Sequence, residues 1–187
     1  TLMPEDSKNP FLDNPFAEAN FSDENDPFPP EGESLTGDDR TEARLCAIQA
    51  MFGFMLAGQG ETLDKVRDEF LLHEIPKRKV NKKLFLQLLE NAHKNKATYE
   101  DVVAGYLNES WTLERLDKTM RSLLLVAITE LYERPETPVK VVINEYVNLA
   151  KGFFDDKQAR FVNGLLDAVA KKVRKFELQA KAEEAKA

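Results

Sequence analysis

The stretch from Thr137 to Asp167, TPVKVVINEYVNLAKGFFDDKQARFVNGLLD, decides how the chain folds. It reads as two amphipathic helices joined by a short acidic turn. Thr137 is placed to N-cap the first helix, with Pro138 at the first helical position, where a missing N–H costs nothing. Val139, Ile143, Tyr146, Val147, Ala150 and Phe154 then recur at helical spacing as one apolar stripe, while Lys140, Asn144, Asn148 and Lys151 fall on another face. The second helix is expected to open near Asp155 or Asp156, since carboxylates suit a helix N-terminus. Its stripe is Val162, Leu165, Leu166, Val169 and Val173. Phe161 falls to one side of that stripe, on the face of Lys157, Gly164 and Lys172, at about 100° per residue. A large aromatic there either stacks on something from solution or packs on a neighbouring helix. Composition does not choose between the two.

Outward from this pair, the totals narrow the class. The 187 residues carry a net charge of −7, unevenly divided. Residues 1–39 hold 11 Asp and Glu against one Lys, and residues 40–187 hold 25 Lys and Arg against 22 acids. The first segment is therefore at −10 and the remainder at +3, which reads as an acidic extension on a mildly basic domain. Residues 1–39 are also rich in proline and poor in aliphatics, so they are expected to be disordered. They contain a loose repeat, Asn9-Pro10-Phe11, Asn14-Pro15-Phe16 and Asp26-Pro27-Phe28. Acids interleaved with Phe could imitate nucleic acid and cover basic surface elsewhere in the chain. A single cysteine, Cys46, within an apolar run, excludes an internal disulfide and is expected in the core. No run is long and apolar enough to span a membrane, and the composition fits a soluble cytoplasmic protein.

Seven helices are expected. The first runs from Asp38 or Asp39 to about Leu56, apolar nearly all round and so central. The second spans Glu61 to Leu72, and the third Val80 to Asn95, after the basic segment Lys77, Arg78, Lys79, Lys82 and Lys83. A fourth is capped by Thr98 and ends near Asn108. The fifth, Trp111 to Arg134, has an uncharged section from Ser122 to Ile128 that should cross the core. The opening pair supplies the sixth and seventh, the last reaching about Phe176, and residues 177–187 are expected to fray. No segment alternates as a strand would. The fold class is all-α, a seven-helix orthogonal bundle.

Chemistry-bearing groups are sparse. His73 and His93 have no ligand-spaced partners, no glycine-rich phosphate loop is present, and Cys46 has no adjacent base, so no catalytic, metal or cofactor residue is assigned. Basic surface is the stronger signal. Lys157, Arg160, Lys171, Lys172, Arg174 and Lys175 face only Asp167 between residues 157 and 175. Cations neutralise phosphates, and an aromatic such as Phe161 gives an unstacked base a place to lie.

The chain resembles the NusB family of bacterial transcription antitermination factors from about Arg40 to Arg174. The resemblance rests on Ala43-Arg44-x-Cys46-Ala47-Ile48-Gln49-Ala50, Trp111-Thr112-Leu113-x-Arg115-Leu116 and Ala127-Ile128-Thr129-Glu130-Leu131. To these it adds Pro138-x-x-Val141-x-Ile143-Asn144-Glu145, Leu149-Ala150-Lys151 and Phe161-Val162-Asn163-Gly164-x-Leu166-Asp167. It implies two helical subdomains, no enzymatic activity and pairing with the ribosomal protein NusE. It further implies binding of boxA RNA of nascent ribosomal RNA transcripts within an RNA polymerase antitermination complex. By that analogy residues 40–176 form the RNA-binding domain, with Arg40, Arg44, Gln49, Lys157, Arg160 and Phe161 at the RNA and NusE near the fifth helix. Thr41 and Glu42 stand where the family often carries arginines, and Leu125 stands at another such position. The competing reading is a protein-interaction scaffold with incidental RNA contact. A methyltransferase fusion, also known for such domains, would need a large downstream domain. Monomer and homodimer are both compatible with the sequence.

Overall fold

A computed structural model describes residues 38–107 and 112–186. The expected extension (apart from Asp38 and Asp39) and the Trp111 motif position lie outside the described residues, and the fourth helix ends at Ala104, short of the expected Asn108. Eight α-helices occur among those described: α1 Asp39–Ala57, α2 Leu63–Glu69, α3 Lys82–Lys94, α4 Lys96–Ala104, α5 Lys118–Glu133, α6 Val139–Phe153, α7 Asp156–Val173 and α8 Lys175–Glu184. The described residues contain no strand. The fold is all-α, as the spacing implies, with one helix more than expected.

The caps show why the elements begin where they do. Asp38 accepts from the Arg40 N–H and opens α1. Asn81 caps α3 through the Leu84 N–H, and Asp117 caps α5 through the Thr119 N–H. Asp155 and Gln158 form a reciprocal capping box at α7, satisfying two otherwise orphaned donors. After α1, Gly58 and Gly60 adopt φ of 69° and 102°, a region open to glycine, and turn the chain into α2.

Several expected boundaries move, each for a local reason. Thr98 does not cap α4, because the helix already starts at Lys96 and the Tyr99 N–H donates to the Asn95 carbonyl. The second helix is α only to Glu69 and continues as a π turn, Phe70–Glu74, and a 3-10 turn, Ile75–Lys77. The fifth starts at Lys118 behind a separate 3-10 turn, Leu113–Arg115. Pro138, not Thr137, flanks α6, and no side chain of its own segment caps that helix. The fraying end is instead α8, whose Glu177 accepts from the Val139 N–H at 3.0 Å and caps α6 from a distance.

Helix α5 organises the whole. Every residue from Ser122 to Leu131 is buried. It packs on α1, α3 and α4 on one side and on the α6–α7 hairpin on the other, so two helical subdomains share it. Helix α2 covers α1 and α3. Helix α1 is less central than its composition suggests: Ala43, Cys46, Ala47, Ile48, Ala50 and Met51 are buried, but Leu45 is half-buried and Leu56 exposed.

Candidate nucleic-acid interface

The resemblance implies six RNA-contacting residues, and the structure divides them. Arg40, in the first turn of α1, and Lys157 and Arg160, in the first two turns of α7, are exposed. Gln49 is half-buried, and its side-chain oxygen accepts from Arg78 Nη1 at 3.0 Å. Arg44 and Phe161 are inside.

Arg44 is only 3% exposed and lies against Glu130 of α5, which has no exposed surface. Its Nη2 and Nε donate to the Glu130 carboxylate at 2.7 and 2.9 Å, a bidentate arrangement. Its Nη1 is 3.4 Å from Glu145 Oε2 of α6. Tyr146 Oη donates to Glu130 Oε2 at 2.6 Å, and Thr41 Oγ1 donates to Glu145 Oε2 at 2.9 Å. One arginine thus joins three helices from both subdomains. Burial would lower the Arg44 pKa, but the hydrogen bonds and charge of Glu130, with Tyr146 and Glu145 behind them, raise it above the ordinary arginine range. Burial pushes the Glu145 carboxyl up, with Arg44 and Thr41 only partly offsetting it. Burial and the adjacent Glu130 carboxylate raise the Tyr146 phenol as well. The expected surface position of Arg44 is therefore corrected. It looked like a phosphate ligand because its partners lie 86 and 101 positions away (44 to 130 and 44 to 145).

Phe161 is corrected in the same sense. It is 1% exposed, so its faces are not open to a base. The helical wheel gives its angle from the stripe but not the number of neighbours. Helix α7 is covered by both α5 and α6, and Tyr106 Oη reaches the Ala168 carbonyl on it at 3.4 Å. The buried arc of α7 is accordingly wide enough to take Ala159, Phe161 and Gly164 along with Val162, Leu165, Leu166 and Val169.

Arg174 also leaves the basic face. Its guanidinium donates to the carbonyls of Leu131 at 2.6 Å, Arg134 at 2.7 Å, Thr137 at 3.0 Å, and Glu130 and Pro135 at 3.4 Å. The carbonyls of Glu130 and Arg134 already accept the N–H groups of Arg134 and Thr137, and Arg174 adds a second donor there while also serving those of Leu131, Pro135 and Thr137. Glu177 completes the clamp, 2.8 Å from Arg174 Nη1. Burial opposes the charge on Glu177, but the Val139 N–H, Arg174 and Lys181 together hold its pKa below the usual carboxylate range. Lys171 pairs with Asp167 at 2.9 Å, and Lys172 lies 5.2 Å from the centre of the Tyr106 ring.

What remains on the surface is narrower and better defined. Thr41 meets Glu145 midway along α6, and α7 returns antiparallel beside α6 after a two-residue turn. At about 1.5 Å per residue, Arg160 and Lys157 lie roughly one and two turns toward that turn from the level of the Thr41 contact. Lys151, exposed in the last turn of α6, lies at the same end. Asp155 there is engaged in its capping box, and Asp156 is exposed. Lys151 was not among the six marked residues, although its place on the polar face was legible from the periodicity. A different surface surrounds the α5–α6 connection, where Tyr132, Val141 and Phe176 are exposed, Phe176 at 86%.

The other groups weighed for chemistry are structural. His93 lies edge-on to Phe54 with ring centroids 4.9 Å apart. Cys46 is buried, its thiol pushed up by burial, with Arg78 Nη1 at 3.5 Å acting in the opposite direction. Among the described residues no cluster of His, Cys, Asp or Glu is arranged to hold a metal, and no helix is long and apolar enough to cross a membrane.

Fold and surface together define an all-helical protein of two subdomains around one shared helix, with Arg40 exposed at the start of α1 and Lys157 and Arg160 at the start of α7. A family model described as the NusB family matches residues 41–171. Transcription antitermination protein NusB of Caulobacter vibrioides is 37% identical over 142 residues, covering 72% of this chain and 94% of that protein. The NusB of Rhizobium etli is 32% identical over 146 residues, covering 74% of this chain and 90% of the other. A solved NusB from T. maritima superposes with a TM-score of 0.64 at 28% identity, covering 76% of this chain and 99% of that one. A chain from a crystal structure of antitermination factors NusB and NusE in complex with dsRNA shares the fold, with a TM-score of 0.59 at 23% identity. The chain belongs to the NusB family.

Proposed function

We propose that the protein is a transcription antitermination factor that binds boxA RNA of nascent ribosomal RNA transcripts together with NusE, as part of an RNA polymerase antitermination complex. Family membership supports the activity, and the exposed cations support the chemistry. The observation that carries the site is that Arg40, Lys157 and Arg160 form no ion pair among the described residues, while Arg44 and Arg174 are consumed internally. Residues 40–176 are the RNA-binding unit in this reading. Arg40, Lys157 and Arg160 neutralise phosphates, and Gln49 offers its amide N–H groups. Arg44 and Phe161 act from below, Arg44 by fixing the start of α1 on α5 and α6, and Phe161 by fixing the α7 turn that carries Arg160.

The RNA is single-stranded boxA, and a modest set of cations makes NusE necessary for affinity. NusE docks in this reading on the exposed apolar side chains Tyr132, Val141 and Phe176, which fit protein contact better than phosphate contact. The same patch favours the alternative that the domain is chiefly a protein scaffold. Binding of boxA RNA with and without NusE separates the two. RNA retained in the ternary complex and lost with Arg40, Lys157 and Arg160 all changed to Ala supports the first. A NusE complex that excludes RNA establishes the scaffold.

A further inference from the structure

Next to the start of α1 is a pocket of about 390 Å³ lined by Glu42, Leu45, Arg78 and Lys79. Leu45 is its apolar member, and Arg78 is one of its two cations. The Arg78 guanidinium is held by Gln49 at 3.0 Å, Glu74 at 3.4 Å and Glu42 at 4.0 Å. Glu42, the carboxylate at the pocket, shares Arg78 with Glu74. Lys79 lines the pocket, and Lys77, Lys82 and Lys83 follow or precede it closely along the chain; all four are exposed, and none has a carboxylate partner among the described residues. The segment carrying them is fixed beside the beginning of α1, because the Asn81 N–H donates to the Asp39 carbonyl at 2.9 Å. A part-apolar cleft with a rim of unmatched lysines fits an aromatic side chain flanked by acids.

We propose that this chain's own Asp26-Pro27-Phe28 segment occupies the pocket in cis, with Phe28 against Leu45 and its flanking acids on the lysine rim. Three features select this occupant. The chain enters α1 at Asp38, about one turn before Glu42 of the pocket lining. Phe28 lies ten residue steps before Asp38, a reach of up to roughly 33–36 Å. Leu45 is seven residues along α1 from Asp38, about 10 Å by helical rise. Charge is the third feature: Asp23, Glu24, Asp26, Glu31 and Glu33 surround Phe28 without an intervening cation. Asn14-Pro15-Phe16 and Asn9-Pro10-Phe11 have fewer nearby acids and need longer loops, which close less readily. Tethering holds the segment at high effective concentration, so a weak contact suffices. The inference does not depend on the RNA reading.

The test places the photo-cross-linking residue p-benzoyl-phenylalanine at position 28 of the full chain and maps adducts by mass spectrometry. The expected adducts join position 28 to peptides holding Glu42–Leu45 or Arg78–Lys79 within one chain. Their yield falls at least about threefold in about 0.5 M NaCl, where surface charge attraction is screened. It falls similarly when Lys77, Lys79 and Lys82 are all changed to Glu, and the salt series reports the same property without those substitutions. Mixing with isotope-labelled chain identifies adducts between copies. Adducts chiefly between copies, adducts mapping elsewhere, no adducts, or a yield indifferent to salt would each overturn the proposal.

Discussion

Arg44 and Arg174 are both buried, and each ties distant helices together, but their partners differ in kind. Arg44 faces side-chain carboxylates, Glu130 and Glu145, contributed by α5 and α6. Arg174 faces backbone carbonyls at the end of α5 and in the following connection, with Glu177 as its one carboxylate. A charge matched by carboxylates can be re-balanced by changing those carboxylates. A charge that satisfies main-chain carbonyls has no such remedy, since no substitution removes them. Both arginines look like nucleic-acid ligands in the sequence, and neither is available for that in this structure.

The largest expected effect follows from this contrast. Arg44→Ala strands two buried carboxylates and should cost about 3–5 kcal/mol in urea unfolding. Adding Glu130→Gln removes one stranded charge and should recover a substantial part of that loss, on the order of 2 kcal/mol. If the double variant is no more stable than Arg44→Ala, the carboxylate pairing is not what Arg44 contributes. Arg174→Lys keeps the charge but loses the planar fork that reaches several carbonyls at once. A loss of about 2–3 kcal/mol is expected, and Glu177→Gln in the same chain should add to it rather than repair it. Recovery by that second change would place Arg174 in the same category as Arg44.

Smaller effects separate the two carboxylates by pH. The folded pKa of Glu177 lies below its ordinary value, so its stabilisation is complete above the usual carboxylate range and lost as pH falls through the folded pKa. Glu145 behaves oppositely. Its folded pKa lies above the ordinary value, so the cost of its charge is full at neutral pH and is relieved as pH falls from the folded pKa toward the unfolded one. Glu177→Gln should therefore cost about 1 kcal/mol at pH 7. Glu145→Gln should be neutral or slightly stabilising there, and should flatten the acid side of the stability profile. Equal losses for both variants in thermal unfolding at pH 7 would contradict the assignment.

Much of the fold was legible because it depends on local pattern. The α6–α7 hairpin, the acidic opening of α7 and the central place of α5 follow from spacing and caps. The failures share a cause, which is contact over long sequence separation. Arg44 and Arg174 reveal their partners only when helices from the two subdomains come together. A sign of the first was present: Glu130 follows an uncharged run in a helix otherwise fit for the core, and a buried carboxylate demands a cation. Phe161 was displaced from its stripe by angle alone, and only the second covering helix makes that angle interior. Helix α8 has the composition of a fraying end, and its order rests on Glu177 reaching the start of α6. The exposed positions Arg40, Lys157 and Arg160 needed no such knowledge, which is why the sequence placed them correctly on the surface.

The central claim is that RNA contact belongs to these exposed cations and not to the buried arginines. Its most direct test is the salt dependence of boxA RNA binding in the presence of NusE. The chain with Arg40, Lys157 and Arg160 changed to Ala is compared with the unaltered chain and with the Arg44→Ala/Glu130→Gln variant. For single-stranded RNA each lost phosphate contact lowers the slope of log K against log salt by about 0.7, so the triple variant should lose about 2. The Arg44 variant should keep the original slope even where its affinity falls. A slope unchanged in the triple variant and reduced in the Arg44 variant would contradict the account.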